Sequence, residues 1–518
     1  MLSSAAIVLA AISWGCSYII YLIFVASIIS PYRHLPKPSQ PPLLSRLFHE
    51  PSTFEIEQWM RNVPNDGFIR YFGFLNQERL IVTKLEGFKE MLLRDIYKFD
   101  KLSRLSALQA PAGVSGLVSA KGTLHKIHRR HTIAAYNTSW AKTLYPTIWG
   151  SARKATDSLV KRAGKAPDGV VEVNRFMREV CLQTVGQAAF SIDLGVLEMP
   201  EQEMIQKYLY AFDVGIKAPF FMKLLQVCPT SLQLFAATAV SKVVRVDISA
   251  MKQRIRATMR SKMGAMRASN FGKEPPLEEG KVDLLDAICL RASPFLSENS
   301  LTKHALTTLA GSVEMVSNQL AWTIYALARQ ENQHIQNRLR SEIRSHFPSH
   351  PDSISWEQLK ALPYLNGVVN EALRMFPSVA HRYRICNTPT TILGEPIHRG
   401  AMLIWPIYGT NRNPELWGDD ADQFRPERWA QDASNKDEES RRDTYAFMTF
   451  GQGPRKCPGE HYSRVVMACM LLAWVGQFRL KLPTGRGDVF EDNGRGQVKF
   501  GIVMKAPISV EIEEVPGW

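Results

Sequence analysis

A single cysteine stands in a loop whose residues could do chemistry. Cys457 lies within FMTFGQGPRKCPGEHYSR (447–464), beside Arg455 and Lys456 and just ahead of a predicted helix that begins after Gly459. Positive neighbours and a helix N-terminus both lower the pKa of a thiol. The pattern therefore predicts a thiolate that can bind a soft metal ion, while a surface cysteine without any role accounts for these local residues equally well.

A carboxylate and a guanidinium, Glu371 and Arg374, lie three residues apart on a predicted helix that begins at Pro363 and is stopped by Pro377. Residues at this spacing share a helix face. The pair points away from the apolar stripe of the helix, so the residues alone predict a surface salt bridge worth less than about 1 kcal/mol. The stripe consists of Leu365, Val368, Val369, Ala372, Leu373 and Phe376.

The composition is that of an ordinary globular protein and excludes several classes. The chain has 518 residues, of which 45% are apolar and 22% are charged, which rules out disordered, collagen-like and coiled-coil proteins. A mean hydropathy of -0.15 disfavours a multi-span membrane protein. The seven cysteines are odd in number and widely spaced, without a CxxC motif, so neither a disulfide framework nor a structural zinc site is expected.

The net charge of +14 indicates which partners the surface favours. A basic surface attracts anionic membranes, nucleic acid or acidic proteins and carries no information about the fold. The sequence contains no aromatic-basic motif and no zinc-ligand spacing of the kind found in nucleic-acid-binding domains. We therefore expect no nucleic-acid partner.

The N-terminus predicts a membrane anchor. No charged residue precedes Arg33, and residues 5–29 are nearly all apolar. As a helix they would rise about 37 Å, enough to cross a hydrocarbon core of about 30 Å, whereas a cleaved signal peptide needs a basic start and a shorter apolar core. We predict a single transmembrane helix over 1–30, a Pro-rich hinge over 31–42 and one large domain over 43–518. The positive charges after the span favour a domain in the cytosol.

The domain itself is predicted to be mainly α-helical with small β-sheets. Residues 68–75 and 79–83 have the pattern of two short strands joined by a tight turn. Most of 120–345 is helical in pattern, and 300–330 is free of proline and apolar on several faces, which is typical of a helix buried across the core. From 379 onward the chain becomes a series of β-type segments and loops.

Several motifs together resemble the cytochrome P450 family. Residues 450–459 (FGQGPRKCPG) match its haem-binding signature FxxGxRxCxG at every fixed position. Residues 371–374 (EALR) resemble its ExxR motif, and 424–429 (FRPERW) resemble its PERF element with Trp in place of the last Phe. The anchor and hinge are similar to those of microsomal members, and 404–429 is similar to fungal ones.

The resemblance implies a cytochrome P450 fold with haem as the cofactor and Cys457 as the axial ligand of the haem iron. A thiolate ligand pushes electron density onto the iron and favours cleavage of dioxygen. Phe450 would belong to the haem-binding loop, and His125 and Arg129 occupy the positions of the family's WxxxR pair, with His in place of Trp. The residues expected to bind the haem propionates are His125, Arg129, Arg384 and Arg455.

The resemblance also changes the expectation for the ion pair on the predicted helix. It implies that Glu371 and Arg374 are covered by the 424–429 segment and form a triad with Arg428. The role of such a triad would be structural, to hold the cysteine loop. Removing one member of a covered triad leaves a buried charge unpaired, at a cost of about 3–5 kcal/mol.

Residues 311–315 (GSVEM) align with the family's distal motif [AG]Gx[DE]T on the long helix. The acid is present as Glu314, but Met315 stands where a threonine hydroxyl usually assists proton delivery. Ser312 is three residues earlier and would share a helix face with Met315, so its hydroxyl could substitute. A hydroxyl of the substrate is the alternative proton relay. Glu314 and Ser312 are therefore the catalytic candidates, while core packing accounts for Met315 equally well.

The function implied by the resemblance is that of a haem-thiolate monooxygenase. It would oxidise a lipophilic small molecule with dioxygen and with electrons from NADPH, delivered by an NADPH-cytochrome P450 reductase. Its location would be the endoplasmic reticulum membrane, its haem domain would lie in the cytosol, and its context would be fungal secondary metabolism. The alternative is a haem-thiolate isomerase or dehydratase that needs no dioxygen, which the missing threonine favours. Pocket walls are expected from 107–118, 205–235, Thr308–Met315, Val379–Arg382 and 498–503.

Overall fold

The computed structural model describes residues 13–18, 20–101, 115–166, 169–213, 246–268, 283–429, 443–484 and 507–518. The expected pocket walls at 107–114, 214–235 and 498–503, and the start of the predicted anchor at 1–12, lie outside the described residues. Helices of eight residues or more within the described part are labelled in chain order. They are α1 (Thr53–Asn62), α2 (Gly122–Thr132), α3 (Thr138–Ala163), α4 (Val173–Phe190), α5 (Glu203–Tyr210), α6 (Ser249–Ala268), α7 (Leu284–Ala292), α8 (Glu298–Gly311), α9 (Ser317–Ala328), α10 (Gln333–His346), α11 (Pro363–Met375) and α12 (Glu460–Gln477).

The strands form small sheets beside this helical body, so the prediction of a mainly α-helical fold with small β-sheets is confirmed. The strands are β1 (Phe68–Gly73), β2 (Gln77–Val82), β3 (Phe99–Lys101), β4 (Val170–Glu172), β5 (Arg382–Cys386), β6 (Thr390–Ile392), β7 (Glu395–Ile397), β8 (Met402–Trp405), β9 (Phe478–Lys481) and β10 (Ser509–Glu514). The largest sheet has the order β1-β2-β8-β5-β3, and the others are β4-β10-β9 and β6-β7. The predicted strands 68–75 and 79–83 correspond to β1 and β2, which pair antiparallel.

The long helix predicted at 300–330 crosses the core as expected. It consists of α8, a π-helical turn over Ser312–Val316 and α9. Every residue of α9 is buried, because a helix that is apolar nearly all round must be covered on every side. A π turn, with its i→i+5 hydrogen bonds, is rare and is frequent at functional sites.

Helix α11 begins at Pro363, as predicted, but its charged face is not at the surface. Glu371 and Arg374 are fully buried, so the surface salt bridge predicted from the local pattern is wrong. The turn Pro426–Trp429 lies against this face of the helix. A Cβ at Gly367 would stand 2.8 Å from the first carbonyl oxygen of that turn, so this close approach requires glycine.

The Pro-rich segment 31–42, predicted as a hinge, lies along the largest sheet. Gln40 exchanges two hydrogen bonds with the backbone of Phe72, at 2.8 and 3.0 Å. Tyr32 is buried, and its hydroxyl accepts a hydrogen bond from the backbone N–H of His398 at 2.8 Å. Prolines restrict the unfolded chain, so ordering this segment on the sheet costs little conformational entropy.

The helical residues 20–29 also contact the β1–β2 hairpin. Asn76 donates to the carbonyl of Ile23 at 2.7 Å, and Arg70 donates to the carbonyl of Ser27 at 2.9 Å. None of the helices in the described part of the chain is both long enough and apolar enough to cross a membrane.

Candidate active site

The cysteine loop is held in place by backbone contacts. The N–H of Cys457 donates to the carbonyl of Phe450 at 2.9 Å, and Nη1 of Arg129 donates to the carbonyl of Lys456 at 2.8 Å. Gly453 has a φ of 72°, and a Cβ there would overlap the carbonyl oxygen of Leu92. Only glycine satisfies both conditions, and the sulfur therefore sits on a well-determined loop.

The pKa of the thiol departs from the prediction for this loop. Burial raises the pKa of Cys457 above its ordinary value, although Arg382 and Arg129 act against this increase. Lys456, expected to be an activating cation, pairs with Glu460 across 2.7 Å, and that carboxylate raises the thiol pKa further. The cations of the loop therefore do not keep Cys457 as a thiolate. The thiol would lose its proton when it binds a metal, because a metal displaces the proton of its ligand.

An open space adjoins one face of the long helix. Thr308 and Met315 are only partly buried and Gly311 is exposed, and a Cβ added at Gly311 would meet no atom within 4 Å. Tyr136 connects this face with the cysteine. Its hydroxyl lies 2.7 Å from Oγ1 of Thr308, and burial, with a smaller contribution from Cys457, raises its pKa to about 12. A group in this space can approach the helix backbone closely.

A cluster of cations borders the same region. Burial, together with the charges of Arg384, Arg455, Arg382 and Arg129, holds the pKa of Lys101 well below its usual value. Nε and Nη2 of Arg384, and Nε and Nη2 of Arg455, are buried without a hydrogen-bond acceptor among the described residues. Buried donors without acceptors are costly, so the cluster is suited to an anionic ligand.

His125 lies within this cluster as a neutral side chain. Its Nδ1 is 3.2 Å from the hydroxyl of Tyr97. Burial and the charges of Arg455, Lys101 and Arg129 lower the pKa of His125 to about 3. A neutral imidazole still offers one N–H donor, so His125 can bind a carboxylate without adding a charge to the cluster.

The cysteine, the open space and the unsatisfied cations fit a flat metal-containing group that carries carboxylates. Comparison with known proteins decides which family this arrangement belongs to. Residues 45–507 match the family model described as Cytochrome P450. The chain is a cytochrome P450. Its cofactor is therefore haem, and its electrons come from NADPH through a reductase. The residues present fit this cofactor, since Cys457 would offer a sulfur ligand for the iron, and the unsatisfied donors of Arg384 and Arg455 would suit the two propionates.

Relatives of this P450 cover nearly its whole length. Cytochrome P450 monooxygenase sphH of Aspergillus fumigatus is 30% identical over an alignment that covers 97% of this chain and 92% of the relative. Cytochrome P450 monooxygenase FSL4 of Gibberella zeae is 26% identical, with 95% and 90% covered. Cytochrome P450 monooxygenase ALT8 of Alternaria alternata is 27% identical, with 98% and 94% covered. The chain thus belongs among fungal cytochromes P450.

The triad implied by the resemblance is assembled in the structure. Arg374 donates to Glu371 through Nε at 2.9 Å and Nη2 at 2.7 Å, and Nε of Arg428 donates to the same carboxylate at 3.0 Å. Burial would raise the pKa of Glu371, but the two arginines hold it below its ordinary value. Arg374 also donates to the carbonyls of Asn411 and Ala421, at 2.8 and 2.7 Å. The triad therefore connects α11 to the chain that precedes the cysteine loop.

Trp429, a departure from the family's PERF element, has a partner that the sequence did not reveal. Its Nε1 donates to Oε2 of Glu371 at 2.9 Å. We predict that Trp429→Phe lowers the free energy of unfolding by about 1.5–3 kcal/mol, the usual contribution of a hydrogen bond to a charged group. Denaturant unfolding of the holoenzyme measures this change.

The matched control for this substitution is Trp356→Phe. Nε1 of Trp356 is buried without a hydrogen-bond partner among the described residues, so Trp356→Phe removes an indole but no hydrogen bond. Equal losses of stability in the two variants would show that ring size, and not the bond to Glu371, accounts for the effect of Trp429→Phe.

The structure does not bring the distal candidates together on one face. The hydroxyl of Ser312 is buried and hydrogen-bonded to Tyr462 of α12. The carboxylate of Glu314 lies 4.0 Å from Nε of Arg178 on α4. Met315 is only partly buried. Because a π turn advances fewer degrees per residue than an α-helix, residues three apart no longer share a face, and the expected alignment of Ser312 with Met315 is not found.

Three residues of the site were missed or underestimated in the sequence. Lys101 and Tyr97 carry no local pattern, because their partners lie in distant segments. Lys101 pairs with Arg384 across the β3–β5 ladder. Arg382 was expected only as part of a pocket wall. The alternation Arg-Tyr-Arg at 382–384 could have indicated that Arg382 joins Arg384 in the site, since residues i and i+2 of a strand share one face of the sheet.

Proposed function

We propose that this cytochrome P450 is a monooxygenase that hydroxylates or epoxidises a lipophilic small molecule in fungal secondary metabolism. The observation that carries the proposal is the Cys457 loop, which stands beside an open space and a cluster of cations with unsatisfied donors. Haem, when bound, supplies dioxygen activation through its thiolate-ligated iron. The chain supplies the sulfur, the donors for the propionates and the walls of the pocket.

The alternative, a haem-thiolate isomerase or dehydratase, has less support. It rested on Met315 in place of a threonine, a single substitution in the distal motif. The relatives that align over nearly the whole chain are named monooxygenases. Monooxygenase chemistry is therefore the function that the combined observations favour.

Electron supply provides the direct test between these functions. With the purified holoenzyme under carbon monoxide, we expect NADPH and a P450 reductase to form the ferrous–CO complex to the same amplitude as dithionite. The basic residues Lys126 and Arg130 are exposed on α2 and suit an acidic partner. Full reduction by dithionite with none by NADPH and reductase would contradict a reductase-dependent monooxygenase.

We further propose that residues 1–30 anchor the protein in the endoplasmic reticulum membrane, with the haem domain in the cytosol. The support is the uncharged apolar N-terminus followed by Arg33, since positive charges after a span favour the cytosolic side. Deletion of 1–19 should move the protein from microsomes to the soluble fraction with its haem retained. Deletion of 1–30 should release it as well but reduce its stability, because Asn76 and Arg70 then lose their carbonyl acceptors. Continued microsomal binding of both deletions at high salt would contradict this anchor.

Proton delivery at the distal side is tested by Met315→Thr. This substitution places a hydroxyl on the open face of the helix, where general acid–base assistance is worth about 10²–10⁴-fold. We predict a severalfold change in the hydrogen peroxide released per NADPH consumed, with an unchanged haem content. The measurement is a coupled assay with reductase.

Ser312→Ala is the control for this prediction. Because the Ser312 hydroxyl is bonded to Tyr462, its removal should cost about 1–3 kcal/mol of stability and leave the peroxide ratio near that of the wild type. A raised peroxide ratio in Ser312→Ala would instead support the serine as the proton relay.

A further inference from the structure

Arg382 is a cation of the pocket wall without an assigned partner. It opens β5 and pairs in register with Trp405 of β8, and its guanidinium carbon lies 5.7 Å from the centre of the Trp405 ring. The side chain is partly buried. Among the described residues, no carboxylate forms an ion pair with it and no side-chain acceptor forms a hydrogen bond with it.

The strand geometry directs Arg382 to the haem side of the sheet. Arg382 and Arg384 are separated by one residue on β5, so they share a face, and Arg384 carries the unsatisfied donors described above. Both side chains also contact the same indole, since the guanidinium carbons of Arg382 and Arg384 lie 5.7 and 5.1 Å from the centre of the Trp405 ring.

The other four cations of the cluster already have partners. Arg129 donates to a carbonyl of the cysteine loop at 2.8 Å, and Lys101 donates to the carbonyl of Val118 at 2.9 Å. Arg384 and Arg455 keep the buried donors that match the two propionates of haem. Once haem is bound, Arg382 is the cation of the cluster for which the described chain provides no hydrogen-bond acceptor and the cofactor leaves no propionate.

We propose that Arg382 binds a carboxylate of the substrate, which narrows the substrate class from lipophilic small molecules to lipophilic carboxylic acids. This inference rests on the proposed monooxygenase function. Arginine binds carboxylates in a bidentate manner through its planar fork of donors, and the indole of Trp405 supports the guanidinium from one side. Arg382 could bind the carboxylate of a haem propionate in the same way, and the experiment below distinguishes a propionate from a substrate carboxylate.

The test uses the purified full-length holoenzyme and two probes of equal chain length, dodecanoic acid and methyl dodecanoate. Each is titrated while the substrate-induced shift of the Soret band is recorded. A hydrogen bond to a charged group corresponds to about tenfold to a hundredfold in affinity. We expect the wild type to prefer the acid over the ester by at least about tenfold.

The variants are Arg382→Gln, Arg382→Lys, Arg384→Gln and the exposed control Arg399→Gln. Arg382→Gln should keep the haem content and ferrous–CO band of the wild type while its preference for the acid falls to about unity. Arg382→Lys should retain part of the preference, and Arg399→Gln should retain all of it. Arg384→Gln should lose haem, as expected for a propionate partner.

Three results would overturn the assignment. Loss of haem from Arg382→Gln and Arg382→Lys to the extent seen in Arg384→Gln would make Arg382 a propionate ligand. An undiminished preference in Arg382→Gln would place the carboxylate elsewhere. A wild type that binds the acid and the ester equally well would show that the pocket does not recognise a substrate carboxylate. Failure of the proposed function is recognised separately, because NADPH and reductase would then fail to form the ferrous–CO complex that dithionite forms, whatever the titrations show.

Discussion

Cys457→Ala is expected to abolish the red-shifted Soret band of the ferrous–CO complex and to reduce NADPH-driven product formation to background. Thiolate ligation gives that complex its spectrum and gives dioxygen its activation, and the loop offers a single sulfur, held by the hydrogen bond from Cys457 N–H to the carbonyl of Phe450. The measurement is a carbon monoxide difference spectrum of the dithionite-reduced variant. A red-shifted band that survives the substitution would show that another residue is the ligand.

Cys469→Ala is the matched control for this prediction. Cys469 lies on α12, the helix that follows the cysteine loop, and it is fully buried, with a pKa that burial raises to about 12. Cys469→Ala removes a buried thiol but not the one in the loop, so it should retain the full band. Loss of the band in both variants would point to a general weakening of haem binding and not to ligation.

Arg374→Ala is expected to lower the free energy of unfolding by about 3–5 kcal/mol, the cost of leaving a buried charge without its partner. The substitution removes two hydrogen bonds to Glu371. It also leaves the carbonyls of Asn411, Ala421 and Gln423 without their donor. Because these carbonyls belong to the chain that leads to the cysteine loop, haem should dissociate earlier in a denaturant titration. Intrinsic fluorescence measures the unfolding of the chain, and the Soret band measures the dissociation of haem.

Arg338→Ala gives the comparison for an exposed ion pair. Nη1 of Arg338 lies 2.7 Å from Glu427, with the two side chains 60% and 37% exposed. Such a pair contributes less than about 1 kcal/mol. A loss in Arg374→Ala as small as that in Arg338→Ala would mean that the triad is not the structural connection proposed for it.

Local patterns in the sequence determined the family and the ends of several elements. The signature at 450–459 places glycine where φ is positive, at Gly453, and a cysteine just before α12. Pro363 starts α11 and Gly459 precedes α12, as predicted. These features depend on residues that are neighbours in the chain, since glycine and proline act through the backbone dihedrals of their own positions.

Only the tertiary structure decided which charged groups are buried and what they contact. The stripe pattern of α11 placed Glu371 at the surface, yet a turn from a distant part of the chain covers it and brings Trp429 to its carboxylate. The cations around His125 likewise come from segments far apart in the sequence. The burial and the pKa of a residue depend on all the groups that surround it in space. A single sequence does not show which groups these are. For the same reason the local cations predicted a lowered pKa for Cys457, whereas the folded chain raises it by burial.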